Sequence, residues 1–327
     1  MKKILLIATG GTIASVPTQT GLTPEITTEG LLKAVPELKE ICLVQATQLF
    51  NLDSTNLCYR HWLKLAKLIE ENYESYDGFV VTHGTDTMAY AVATLSYLIQ
   101  GNGKPIVFTG SQKSIADRDT DARNNLKHAF LYAVSDVACG VKLVFDGKVI
   151  LGTRARKIRS KSFNAFQSID FPEIARFSGN KMIVYLPEEK SPVKFYHELD
   201  ASVFSLRLIP GMSLDIFSYL AEHYHAVVIE SFGVGGIPYY DNADFADGIE
   251  LLIKNGVNVI VTTQVLYEGS DMDVYRVGAK IKQKYRILEA YDMTTECVIS
   301  KTMWALAQKG DFNTIFQTPI AKDILID

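Results

Sequence analysis

Four stretches of this chain carry hydroxyls, carboxylates and amines where chemistry could use them. Thr9-Gly10-Gly11-Thr12 follows the apolar run Ile4-Leu5-Leu6-Ile7-Ala8. Thr82-His83-Gly84-Thr85-Asp86-Thr87 follows Phe79-Val80-Val81. Leu52-Asp53-Ser54-Thr55-Asn56 is a polar cluster beyond the strand-like segment from Cys42 to Ala46. The fourth is the basic run Arg154-Ala155-Arg156-Lys157-Ile158-Arg159-Ser160-Lys161. A buried strand that runs into a turn and a helix start puts polar side chains and free N–H groups at the carboxyl edge of a sheet. Ligands bind there in open α/β folds.

Two glycines before Thr12 let backbone approach a ligand closely and leave the Thr12 hydroxyl accessible as a nucleophile. That hydroxyl is weak unless a base removes its proton. Lys157 is the candidate base. Burial, or positive charge from Arg154, Arg156 and Arg159, lowers a lysine from about 10.4 toward neutrality. The residues alone leave a second reading of this run open: a solvated basic edge or a patch for acidic ligands. His83 has no nucleophile motif such as G-x-S-x-G beside it and reads as a hydrogen-bonded strand-end histidine.

Several weaker signals point elsewhere. Thr9–Thr12 lacks both glycine spacings of nucleotide loops. Gly233-Val234-Gly235-Gly236-Ile237-Pro238 has proline at the third glycine position of a dinucleotide fingerprint and reads as a tight turn after a strand. His223 and His225 have no third metal ligand in view and read as a helix-end feature. Asp241, Asp244 and Asp247 miss the calcium-loop spacing and surround a helix start.

The elements that must hold these groups follow from periodicity. Continuous apolar runs at Ile4–Ala8, Phe79–Val81 and Pro105–Phe108 predict buried parallel strands, and Cys42–Ala46 a further strand. Asp146-Gly147 between Val141–Phe145 and Lys148–Leu151 predicts a hairpin, and Lys181–Tyr185 closes this part. Helices are expected over Thr28–Ala34, His61–Tyr73, Ala122–Val134 and from Met88 to about Leu98. The last is capped by Thr85 or Asp86. The loop from Val16 to Pro24 holds a glycine and two prolines, which exclude regular structure and suit a lid. Farther on, strands at Ala226–Glu230 and Val257–Val261 alternate with helices at Leu214–Glu222, Ala243–Lys254, Tyr275–Lys282 and Thr294–Leu306. This pattern predicts two α/β domains: a larger N-terminal one with a mainly parallel sheet, and a smaller C-terminal parallel one. The boundaries are 1–190, a polar linker at 191–204, and 205–327.

Composition narrows the class. The chain has 327 residues, 47% hydrophobic and 21% charged, enough to bury a core. A net charge of −4 argues against a nucleic-acid partner. Four cysteines (Cys42, Cys58, Cys139, Cys297) stand far apart and read as reduced and buried. The first apolar run is too short for a signal peptide and meets Thr-Gly-Gly, and no segment is long and apolar enough to span a membrane. The expected location is the cytoplasm.

Taken together, Thr9-Gly10-Gly11-Thr12-Ile13-Ala14 and His83-Gly84-Thr85-Asp86-Thr87-Met88 resemble the bacterial-type L-asparaginases over essentially the whole chain. Leu52-Asp53-Ser54-Thr55 is similar to that family's substrate-binding turn, and Thr109-Gly110-Ser111-Gln112 to its next strand end. Lys157 falls where the family has its catalytic lysine. Asp292-Met293-Thr294-Thr295-Glu296 resembles the motif of the cytoplasmic, type I branch. The resemblance implies hydrolysis of L-asparagine without metal or cofactor, by a homodimer or homotetramer. It implies that Thr12 is the nucleophile and that Thr85, Lys157 and Asp86 form a hydroxyl–amine–carboxylate set. Asp53, Ser54 and Thr55, with Thr85 and Asp86, then hold the substrate's ammonium and carboxylate. One departure stands out: many members carry a tyrosine in the loop after Thr12, and none occurs here between Thr12 and Pro24. Thr18, Thr20, Thr23 or Tyr291 are the substitutes the sequence offers. Related readings are an amidase acting on glutamine and, from a different class, a non-catalytic amino-acid sensor.

Overall fold

A computed structural model describes residues 1–18, 21–240, 243–274, 276–285 and 287–325. The chain divides into two units, Met1–His197 and Glu198–Asp327. Eight strands build the sheet of the first: β1 (Lys3–Gly10), β2 (Leu43–Leu52), β3 (Gly78–Thr82), β4 (Ile106–Thr109), β5 (Val141–Phe145), β6 (Lys148–Leu151), β7 (Ala175–Ser178) and β8 (Lys181–Val184). Their order is β8-β7-β6-β5-β4-β3-β1-β2. The pairs from β2 through β5 are parallel, and β6, β7 and β8 add antiparallel to the far edge.

Burial explains the apolar runs. Ile4, Leu6, Ile7 and Ala8 of β1 are 0% exposed, because a central parallel strand is covered on both faces. Each such Leu or Ile contributes about 1.5–3 kcal/mol. Helices α1 (Thr28–Ala34), α2 (Tyr59–Asn72), α3 (Met88–Leu98) and α4 (Ala122–Ala133) connect the parallel strands. One core cluster joins β1 residues to Leu31 of α1 and to Leu126 and Phe130 of α4. The β5–β6 hairpin turns at Asp146 and Gly147, both at positive φ (48° and 73°), as two-residue hairpins require.

Strand order sets where a ligand can sit. Running from β2 to β5, the parallel part follows the order 2-1-3-4-5. The connections leaving β1 and β3 go to opposite sides, and the crevice between their carboxyl ends is the switch point.

Two local expectations fail. The 16–24 loop is not irregular: Ser15–Thr18 and Gly21–Pro24 pair as an antiparallel ribbon. A two-stranded ribbon has outer positions that need no N–H donor, so its prolines are tolerated. Nor do Thr85 and Asp86 cap α3. The helix starts at Met88 with Thr87 as its N-cap residue and no side-chain cap bond. The Thr87 hydroxyl instead donates to the Ser54 carbonyl (2.8 Å).

Residues Lys194–Phe195 pair with Ile99–Gln100, and Tyr196 N–H donates to the Leu98 carbonyl, so the chain stays attached to the first unit this far. The second unit holds β9 (Val203–Arg207), β10 (Ala226–Ser231), β11 (Asn258–Thr263) and β12 (Leu288–Glu289), all parallel in that order. Helices α5 (Ile216–His223), α6 (Phe245–Lys254), α7 (Arg276–Tyr285) and α8 (Thr295–Leu306) accompany them. Tyr275, expected to start α7, and Asp241 lie outside the described residues. No described helix is long and apolar enough to cross a membrane.

Candidate active site

The switch point is where the sequence motifs meet. Gly10 and Gly11 end β1 at φ 100° and 80°. A Cβ on Gly11 would lie 2.4 Å from Gly84 Cα, and one on Gly84 would lie 2.6 Å from Ser54 Oγ. Gly11 N–H donates to the Leu52 carbonyl (2.9 Å). Only glycines permit this approach, so the ends of β1, β2 and β3 press their loops together. Thr12, Ser54 and Thr85 therefore share one small region at the carboxyl edge of the sheet.

Thr12 opens a short 3-10 turn and is half-buried. Asp53 is exposed, and its Oδ1 accepts from Thr55 N–H (2.9 Å) and from the Thr55 hydroxyl (2.8 Å). This closed local turn presents a carboxylate beside the buried Ser54. Thr85 is buried, whereas the Asp86 side chain is 58% exposed.

Lys157 comes from a different place in the chain. It ends the short strand Ala155–Lys157, which pairs with Phe166–Ser168. Its ammonium donates to Thr85 Oγ1 (2.8 Å) and Asp86 Oδ1 (2.6 Å). Thus 72 residues of separation close into one hydroxyl–amine–carboxylate set. The Asp86 carboxylate is in direct contact with Lys157. Arg154 is fully buried with its guanidinium over the Phe171 ring, and Arg159 donates to the Asn164 carbonyl. An open pocket of about 370 Å³ lies beside this set, lined by Asp86, Lys157, Ile158, Arg159 and Ser160.

A support shell appears that residue types alone did not assign. Gln112 Oε1 accepts from the Thr85 hydroxyl (3.2 Å). Gln112 and Lys113 donate their N–H groups to the Asp121 carboxylate, as does the Asn125 amide. Burial raises the Asp121 carboxyl above its usual range, opposed by those donors. Asp121 and Asn125 are four apart at the start of α4, a spacing readable in the sequence but without meaning until the loop packs on it.

His83 is 1% exposed, with Nδ1 2.7 Å from the Gly84 carbonyl, so Nδ1 carries the proton. Burial lowers its pKa to about 4 and keeps it neutral. Among the offered substitutes for the missing tyrosine, Thr18 donates to the Gly21 carbonyl (2.6 Å) and Thr20 lies outside the described residues. Tyr291 belongs to the second unit, with the Lys282 ammonium 5.3 Å over its ring. His225 pairs with Asp200 (2.7 Å), and no group of three metal-ligating side chains occurs among the described residues. All four cysteines are free, and Cys58 is half-buried rather than buried.

Comparison with known proteins agrees with this geometry. Residues 3–190 match the family model "Asparaginase, N-terminal", and 202–318 match "Glutaminase/Asparaginase C-terminal domain". An L-asparaginase of Thermococcus kodakarensis is 35% identical over 96% of this chain and 95% of its own length. A glutamyl-tRNA(Gln) amidotransferase component of Pyrococcus abyssi is 34% identical over 96% of this chain and 74% of its own. The solved structure of the thermostable L-asparaginase from Thermococcus kodakarensis superposes with a TM-score of 0.93 at 34% identity, covering 99% of this chain and 100% of that one. These relatives are archaeal, which corrects the expectation of a bacterial-type, type I branch. The motifs that suggested the branch are short, and whole-chain similarity outweighs them.

Proposed function

This chain belongs to the asparaginase family, and on that premise we propose that it hydrolyses L-asparagine to L-aspartate and ammonia. The observation that carries the reading is the Lys157 amine bridging Thr85 and Asp86 at the switch point shared with Thr12. The substrate is a zwitterion with a neutral side-chain amide. Asp53 and Asp86 suit its ammonium. The Ser54 hydroxyl suits its carboxylate, and Thr55 serves the site by holding the Asp53 carboxylate in place.

In the proposed sequence Thr12 Oγ1 bonds to the amide carbon and the C–N bond breaks. The Thr12 proton leaves with the amide nitrogen as ammonia. Water then bonds to the acyl carbon, the ester to Thr12 breaks, and a water proton returns to Thr12. Thr85, Lys157 and Asp86 move the protons. One proton passes from the Lys157 ammonium to the Asp86 carboxylate it contacts, and the neutral amine then accepts from a hydroxyl. Backbone N–H groups at the turns after β1 and β3, other than Gly11 N–H, are natural donors for the developing oxyanion, each such donor contributing about 2.7–4 kcal/mol.

Ammonia release from L-asparagine tests the reading. Thr12→Ala and Thr85→Ala are each expected to lower kcat by about a thousandfold or more. Wild-type turnover in either would overturn the mechanism. A glutamine-directed amidase is the second reading, favoured by the glutaminase/asparaginase family model and the amidotransferase relative. Relative kcat/KM for asparagine and glutamine separates the two. Self-association as a homodimer or homotetramer belongs to the same proposal, and sedimentation velocity reads it.

A further inference from the structure

Thr85 Oγ1 has one proton and two neighbours that want different things from it. Lys157 Nζ, 2.8 Å away, donates to it. Gln112 Oε1, 3.2 Å away, accepts from it. The orientation of the Gln112 amide is set by its other end, since Nε2 donates to the Ser162 carbonyl (3.2 Å). Flipping the amide would set its oxygen against that carbonyl and its NH2 toward a hydroxyl that already takes Lys157's proton. The backbone of Gln112 is fixed as well, through its N–H on both oxygens of Asp121 (3.1 and 2.9 Å). Asn125 ties Asp121 to the Gly110 carbonyl at the end of β4 (3.0 Å).

From these contacts we infer that Gln112 is a positioning residue that holds the Thr85 hydroxyl, oxygen and proton, in register with Lys157. The inference deepens the proposed amide hydrolysis and rests on it. With its proton on Gln112, Thr85 offers a lone pair to the Lys157 ammonium, which is the resting arrangement. Once Lys157 has passed one proton to the Asp86 carboxylate and become a neutral amine, a rotation of the Thr85 proton turns Thr85 from acceptor to donor. The heavy atoms stay where Gln112 keeps them. The charged groups around this point are Lys157 and Asp86 on one side, with Asp121 beneath the Gln112 backbone, salt-bridged Lys113–Asp119 next to it and Arg159 in the adjoining hairpin.

Two variants and one direct observation test it. Gln112→Leu removes the acceptor at similar volume. Its kcat is expected to fall by about tenfold or more with KM changed less than about threefold, since a misplaced relay group costs rate rather than binding. Gln112→Glu can replace glutamine only when protonated, as one carboxyl oxygen must accept from Thr85 and the other must donate to Ser162. Its kcat should recover toward wild type at acid pH and fall as pH rises, while Gln112→Leu stays low throughout. Wild-type kcat in Gln112→Leu, a KM rise without a kcat loss, or no acid recovery in Gln112→Glu would overturn the inference. Neutron diffraction of the wild-type protein gives an answer that does not depend on turnover. A deuteron on the Thr85–Gln112 line is expected, and one donated by Thr85 along the Thr85–Lys157 line overturns the inference. Absence of ammonia release by the wild type would refute the hydrolase reading separately.

Discussion

At the scale of single residues, charge state is set by burial and contact more than by residue type. His83 stands in the motif beside Thr85, yet it is sealed under the turn and neutral, with a pKa of about 4 against an ordinary value of 6.5. Between those values the unfolded chain binds a proton that the folded protein excludes. The stability His83 contributes is therefore complete above pH 6.5 and lost as pH falls through about 4. The loss is on the order of 3 kcal/mol. Urea unfolding at several pH values should show the difference between wild type and His83→Gln changing by about that amount across the window. A difference that ignores pH would contradict a buried, neutral His83. Lys157 behaves in the opposite way. It contacts an exposed carboxylate, so Lys157→Met should change stability by no more than about 1 kcal/mol while removing turnover. Thermal melting and ammonia release measure the two effects on one sample.

At the scale of elements, three strand ends converge because their loops carry glycine where they touch. Gly11→Ala sets a Cβ 2.4 Å from Gly84 backbone at φ 80°, and neither backbone can yield without parting the loops. We expect a cost above about 2 kcal/mol together with loss of activity, seen as a lower Tm and no turnover. The strands and helices that position the site were largely legible, because buried parallel strands are continuous apolar runs and α1 and α4 have clear periodicity. What was missed is short or edge-like. The ribbon at Ser15–Thr18 and Gly21–Pro24 has prolines that argue against a strand in a central sheet but not in an isolated pair. The strand Ala155–Lys157 that carries Lys157 has only three residues, and its partner Phe166–Ser168 adds three more. Such segments hold their conformation through tertiary pairing, so no local pattern marks them.

At the scale of the whole molecule, each unit has its own sheet, mainly parallel in the first and parallel in the second, and its own core, and Asp323 is locked into the second. Lys301 and Asp323 form an ion pair 2.6 Å apart with both side chains 0% exposed. Lys301 also donates to the Thr318 carbonyl (2.9 Å) and lies 5.4 Å over the Phe316 ring. Asp323→Ala leaves a buried ammonium without its counter-charge, expected to cost about 3–5 kcal/mol. Calorimetry would show this as a lower transition temperature. Asp323→Leu combined with Lys301→Met should recover most of it, because removing both charges also removes the desolvation penalty.

The sequence by itself predicted the two α/β units and, through short motifs, the asparaginase family but not its branch. Strand ends and their polar residues are local patterns and marked Thr12, Asp53, Ser54, Thr85 and Asp86 as candidates, whereas the choice of Lys157 over a solvated basic edge came from the resemblance. Only the tertiary structure decided which of these groups touch. Lys157 meets Thr85 and Asp86 across about seventy residues, and Gln112 is fixed beside Thr85 by Asp121. Those contacts depend on strand order and on glycine-permitted approach of separate loops. Pair distances between remote segments are properties of packing, which no single segment encodes.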